Sequence, residues 1–321
     1  MRLVIVSDAW MPQVNGVVTV LRALVRELSV LGVETTVLHP GCGPTVALPG
    51  YAEIRVSGTP WRVGQWLRDA RPDAVHIATE GPLGFAARRW QLGAVLLGLV
   101  GMLVLGWLDD RHELKPLPKF AGQFLIATLV AAAGVRVTLF VPSVVFSYLV
   151  TVLWIVGITN ALNFLDNMNG LCAGIGALAA GFFALAAARN GQYLVASLAL
   201  LGCGSLLGFL PWNYPRASSF LGDAGSHVTG FLLAVLAILP SFYSADRPHA
   251  LAVLSPLLVL IVPLADLASV VWIRARLGRP PWIGDTNHFS HRLVRAGFTR
   301  PKAVALLWAA GAAGGVAALL L

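Results

Sequence analysis

Eight long apolar runs constrain this chain more than any other feature. They are Leu92–Leu108, Phe120–Leu139, Val141–Ile158, Leu171–Ala188, Tyr193–Leu210, Val228–Tyr243, Leu251–Ile273 and Ala303–Leu321. Each is near the ~20 residues a helix needs to cross a bilayer. The first, at 17 residues, is short and contains glycine. Only 12% of the 321 residues are charged and 57% are hydrophobic, whereas a soluble domain is about a quarter charged. The expected fold over residues 91–321 is a mainly α-helical, multi-span membrane bundle of about eight spans. A net charge of +8 in such a chain points to cytoplasmic loops and not to nucleic acid.

Residues 1–90 read differently. Leu3–Val6 is a short strand pattern, Val17–Leu31 a helix closed by Gly32, Glu34–Leu38 a second strand and Ala74–Ile77 a third. Strand, helix and strand at this spacing predict a parallel βαβ unit, hence a small partial α/β, Rossmann-like segment. The Pro12–Gly16 turn precedes the helix, where backbone N–H groups can meet an anion. Asp8 interrupts the opening apolar run too early for a signal peptide. Cys42, Cys172 and Cys203 are too scattered for a disulfide framework or a zinc site.

Polar residues inside the bundle are concentrated. In NALNFLDNMNGL, Asn160, Asn163, Asp166 and Asn169 recur every third residue where one apolar run ends and the next begins. They share a helical face if the helix continues. Such groups at membrane depth line a cavity, pair with one another or hold an ion. One of the four has an ordinary use as a helix cap, but a cap does not need four.

If every run crosses, connections alternate between sides. Asp109–Lys119, Thr159–Gly170, Pro211–Ser226 and Arg274–Lys302 then share one side, together with most of the Arg and Lys, which makes it cytoplasmic. GWLDD supplies Asp109 and Asp110, FLGDAGS places Asp223 in a Gly-flanked turn, and DTNHFSHRL carries His288, His291 and Arg292 in a large basic loop. Taken singly, these are the end of a span, a turn residue and a solvated HxxH. Convergence on one face favours chemistry: carboxylates suit a hard divalent cation with a substrate phosphate, and Arg with His suits phosphate.

GWLDD, NALNFLDNMNGL, FLGDAGS and HFSHRL, in this order, resemble the polyprenyl-phosphate N-acetylhexosamine-1-phosphate transferase superfamily over about residues 93–302. The resemblance implies transfer of a sugar 1-phosphate from a UDP-N-acetylhexosamine to undecaprenyl phosphate. UMP is released, in cell-envelope polysaccharide synthesis at the bacterial inner membrane. It implies Mg2+, with Mn2+ as the alternative ion, and a homodimer in the lipid bilayer. Residue by residue, it makes Asp109 and Asp110 the paired aspartates and Asp223 the principal metal ligand. Asn163 and Asp166, with Asn160 beside them, become nucleotide-site residues, and Lys119 the basic residue after the pair. His288 and His291 become the histidine motif near the diphosphate, with Arg292 adjacent. The HxxH form is closer to the N-acetylglucosamine branch. Asn169 and Ser290 stand where the family usually has Asp and His, and two family helices before GWLDD are replaced by residues 1–90. That segment, through SDAWMPQVNGVV and VHIATEGPLGFAARR, resembles the N-terminal half-domain of family 4 GT-B glycosyltransferases over about residues 2–89, with Asn15-Gly16 at the cleft. Two other readings remain at this point: a membrane-anchored GT-B fragment, and an inactive fusion with an incomplete bundle.

Overall fold

The computed structural model describes residues 1–8, 10, 16–48, 51–78, 89–137, 141, 143–240, 250–280, 282 and 284–321. Asn15, most of ATEGPLGFAARR, and the end of the sixth run lie outside the described residues. The chain forms two compact units, Met1–Gly93 and Ala94–Leu321.

In the first unit, β1 (Arg2–Val6) lies between β2 (Glu34–Leu38) and β5 (Ala74–Ile77), and both pairings are parallel. Val4 stands opposite Thr36 on one side and Val75 on the other. A strand paired on both edges reads as a continuous apolar run, and Val4, Ile5 and Val6 are all buried. Between β1 and β2 runs α1 (Gly16–Val30), after which Gly32 takes φ +72°. Three further elements were not expected: the antiparallel pair β3 (Thr45–Leu48) and β4 (Tyr51–Ser57), and helix α2 (Val63–Ala70). The Pro49-Gly50 dipeptide is the turn signal that marks the pair in the sequence.

In the second unit each apolar run is helical over most of its described residues. The helices are α3 (Arg89–His112), α4 (Pro116–Ala132), α5 (Val144–Leu165), α6 (Leu171–Arg189), α7 (Tyr193–Asn213), α8 (Gly222–Leu236), α9 (Ser255–Val259), α10 (Ile261–Arg276), α11 (Phe289–Arg295) and α12 (Arg300–Leu320). Among the described residues, five are long and apolar enough to cross a membrane: α3, α5, α6, α7 and α12. A bent pair, Ala252–Val259 with Ile261–Arg276, brings the number to six if it is one span, while α4 is shorter. The first run proves longer than its apolar core, because its helix extends through Asp109 and Asp110 to His112.

The seventh run is not one straight helix. It bends by 70° where α9 meets α10. Pro263, three residues into α10, has no N–H to return to the Val259 carbonyl, so the ladder breaks there. Helix α6 is the most enclosed of the long helices. Its Ala- and Gly-rich sequence lets α7 and α12 approach closely.

The α5–α8 pair positions the polar end of the bundle. Trp154 donates its indole N–H to the Ala234 carbonyl at 3.1 Å. Further along, a Cβ added to Gly230 would fall 2.6 Å from the Thr159 Cα. One more turn brings Asn163 to Ser226 at 2.9 Å. Antiparallel contact at successive turns therefore sets the register that delivers Asn163 to α8. Gly230→Val should push the Thr159 backbone away and cost about 1–3 kcal/mol of stability. The check is the thermal midpoint of the detergent-purified protein, and an unchanged midpoint would remove this contact from the account.

Candidate active site

A cavity of 730 Å³ opens at one end of the second unit. Asp109 and Asp110 reach it from α3, Lys119 from α4, Asn160 and Asn163 from α5, and Asp166 from the turn after it. Gly222 and Asp223 come from α8, and Arg274, Asp285 and His288 from the segment around α10 and α11. Residues far apart in sequence thus share one wall system.

The two adjacent aspartates do different work. Asp109 Oδ1 accepts the Leu114 backbone N–H at 2.9 Å, and its Oδ2 meets the Lys119 ammonium at 2.5 Å. The same ammonium reaches Asp223 Oδ2 at 3.1 Å. Asp110 instead accepts the backbone N–H groups of Asp223 at 2.8 Å and Ala224 at 3.0 Å. It caps α8 from another helix and answers donors that a helix start leaves open. Asp223, expected in a turn, is in fact in the first turn of α8. Gly222 makes the approach possible: its φ is +65°, and a Cβ there would fall 2.8 Å from Asp110 Oδ2. Asn163 completes the group, donating to Asp223 Oδ1 at 2.5 Å.

Asn160 lines the cavity, yet its amide donates to Gln123 Oε1 at 2.6 Å and to the Val156 carbonyl at 2.8 Å, linking α5 to α4. The three-residue periodicity does not run through the whole stretch, because α5 ends at Leu165. Asn169 therefore leaves the shared face, and its amide turns to the Pro215 carbonyl. Asn167 enters the cavity wall instead and accepts from Ser290 Oγ at 2.6 Å.

The basic loop is partly helical. His288 is the N-cap of α11 and lines the main cavity. His291, one turn on, lines a separate cavity of 150 Å³ with Asn169 and Arg300. Burial and then the neighbouring His288, Arg295 and Arg300 lower the His291 pKa, against an opposing pull from Asp266. Arg292 is not brought to the main cavity: it donates to Ser269 Oγ at 3.2 Å and lies over the Phe289 ring.

Residues the sequence reading passed over also line the site. Arg274 is 2% exposed, bonds Asp285 at 3.1 Å and lies 5.0 Å from the Phe164 ring centroid. Burial raises the Asp285 pKa, but bonds from Arg274 and Asn287 outweigh it and hold the carboxyl at about 2. Arg274 had counted only as one more cation on its side, because its burial depends on the fold.

Comparison with known proteins finds two matching families. The family described as Glycosyl transferase family 4 matches residues 92–241, and one described as Glycosyltransferase Family 4 matches residues 14–99. The chain is 32% identical over 324 residues to a decaprenyl-phosphate N-acetylglucosaminephosphotransferase of Mycobacterium tuberculosis, covering 88% of this chain and 80% of that one. It is 31% identical over 239 residues to a probable undecaprenyl-phosphate N-acetylglucosaminyl 1-phosphate transferase of Bacillus subtilis, covering 72% of this chain and 66% of that one. A phospho-N-acetylmuramoyl-pentapeptide-transferase of Lacticaseibacillus paracasei is 36% identical over 194 residues, covering 55% and 57%. The chain belongs to the polyprenyl-phosphate N-acetylhexosamine-1-phosphate transferase family. Its first unit carries the additional glycosyltransferase-type segment.

In this transferase-family cavity, Asp166 is the carboxylate most at odds with its surroundings. Burial first, then the charges of Asp223 and Asp110, raise its pKa from 3.8 to about 7, against a Gly222 backbone bond that lowers it. The folded state thus holds this proton more tightly than the unfolded chain. Its contribution to stability is complete below pH 3.8 and is lost as pH rises through about 7. Thermal midpoints across that window should fall more for the wild type than for Asp166→Asn. Parallel curves would refute the raised value.

Proposed function

We propose that this chain transfers N-acetylhexosamine 1-phosphate from a UDP-sugar to undecaprenyl phosphate, releasing UMP, at the bacterial inner membrane. This reading puts the cavity on the cytoplasmic face, the side that the basic loops favour. The observation that carries the reading is the interlock of Asp109, Lys119, Asn163 and Asp223 in a cavity large enough for a nucleotide sugar. The names of the relatives supply the substrate class.

In the reaction a lipid phosphate oxygen bonds to the β-phosphorus of the UDP-sugar. The bond from that phosphorus to the bridging oxygen breaks, and its electron pair leaves with UMP. Such transfer depends on positioning and on neutralising charge. Lys119 and Arg274 are the cations that meet phosphate oxygens, and His288 brings a ring nitrogen to the same cavity. Asn163 holds Asp223 in place, and Asp110 holds the start of α8.

The residues present fit a divalent cation. Asp109, Asp110, Asp166 and Asp223 share the cavity with one lysine, and burial first, then the charges of Asp223 and Asp110, raise the Asp166 pKa. Among the described residues no three His, Cys, Asp or Glu side chains are grouped so that they could hold a metal ion by themselves. Mg2+ keeps several waters and takes substrate phosphates as ligands, so one or two carboxylates are enough for it. Asp223 is the residue that would hold it. When bound, the ion would neutralise phosphate charge.

Membranes containing the chain should release UMP from UDP-N-acetylglucosamine when given undecaprenyl phosphate and Mg2+. Chelation should stop the release. Asp223→Asn and Asp109→Asn should each lower it by at least about 100-fold without removing the protein from the membrane. Full activity in Asp223→Asn would overturn the metal assignment.

A further inference from the structure

Asp266 is a buried carboxylate that the reaction as described does not use. It lies in the second turn of α10, inside a run that reads as a plain membrane span, and is 1% exposed. A carboxylate so placed is costly unless both oxygens are paired. Both are paired here. Its Oδ2 is 2.7 Å from His288 Nδ1, and its Oδ1 accepts the Phe289 backbone N–H at 2.7 Å. The second bond caps α11, at whose N-cap His288 stands without using its own side chain for capping. Phe164 meets the His288 ring edge-on, with centroids 5.8 Å apart. Backbone and ring are therefore both held.

An acceptor at Nδ1 selects the tautomer with the proton on that nitrogen and leaves Nε2 for the cavity that His288 lines. We propose that Asp266 is a positioning residue for the transfer reaction, pairing with His288 so that Nε2 is presented to the phosphates of the sugar nucleotide. This rests on the transferase reading of the cavity. With the proton held on Nδ1, Nε2 keeps its lone pair toward the cavity and can accept a proton shared with a phosphate oxygen. Other titratable groups lie nearby: Arg274, Asp285 and Asp166 line the cavity with His288, and His291, with its ring 6.3 Å from that of His288, is acted on by Arg295 and Arg300. Asp266 is the carboxylate in contact with the ring.

Asp266→Asn tests the pairing with little change of shape. One amide oxygen cannot serve both Phe289 and His288. With the oxygen on the Phe289 N–H, the amide NH2 faces Nδ1 and the ring proton moves to Nε2. The variant should keep its thermal midpoint near wild type and lose about 100-fold in kcat. Added to His288→Gln, it should cost nothing further, because both changes remove one arrangement. Full activity of Asp266→Asn, or losses that add in the double variant, would overturn the proposal, and so would a variant that does not fold.

Nitrogen NMR of histidine-labelled protein gives a readout apart from turnover, with His288 assigned by its loss in His288→Gln. Wild type should carry the proton on Nδ1 and Asp266→Asn on Nε2. A bare Nδ1 in wild type overturns the pairing by itself. A wild-type chain that releases no UMP overturns the reading of the cavity, while the spectra still decide whether Asp266 sets the tautomer.

Discussion

One ammonium group holds the polar end of the bundle together. Lys119 on α4 sits between Asp109 of α3 and Asp223 of α8, and Asn163 of α5 closes the set. Ionised groups at the end of a membrane bundle are tolerated when they satisfy one another, and removing one partner leaves the rest uncompensated. Four helices are therefore registered on a few atoms. Asp110 and the α5–α8 contacts exist in this arrangement to bring those atoms into reach.

The interlock is incomplete as a charge balance, and that gives the site its chemical character. Lys119 meets two carboxylates, while Asp166 stays buried beside further negative charge. Such a cavity gathers carboxylate oxygens beside two basic side chains, Lys119 and Arg274. Elsewhere the same unit has an apolar cleft of 680 Å³ lined by residues such as Phe182, Leu207 and Trp308. The charged cavity and the apolar cleft are lined by different residues of one bundle.

Much of the candidate site was legible because catalytic types stand out against an apolar background. Asp109, Asp110, Asn163, Asp166, Lys119, Asp223 and His288 all line the cavity. What failed was local geometry. Asn169 was placed on the face of Asn163 by periodicity, but α5 stops at Leu165 and Gly170 takes φ +76°, so Asn167 enters the wall instead. Arg292 stands beside the histidines in sequence and points away from the cavity toward Ser269. Arg274 and Asp266 are each a single charge in or at the end of an apolar run, and no spacing rule distinguishes a buried partner from the edge of a span.

The sequence by itself determined the class of molecule, the helical runs, the family motifs and the change of character near residue 90. Those follow from composition and period, which are properties of neighbours along the chain. The tertiary structure alone decided the division of labour between Asp109 and Asp110, the bend at Leu260, the pairing of Asp266 with His288 and the separation of His288 from His291. Each of these depends on which donor from a distant helix arrives within hydrogen-bond reach. Packing sets that distance, and no local pattern encodes it.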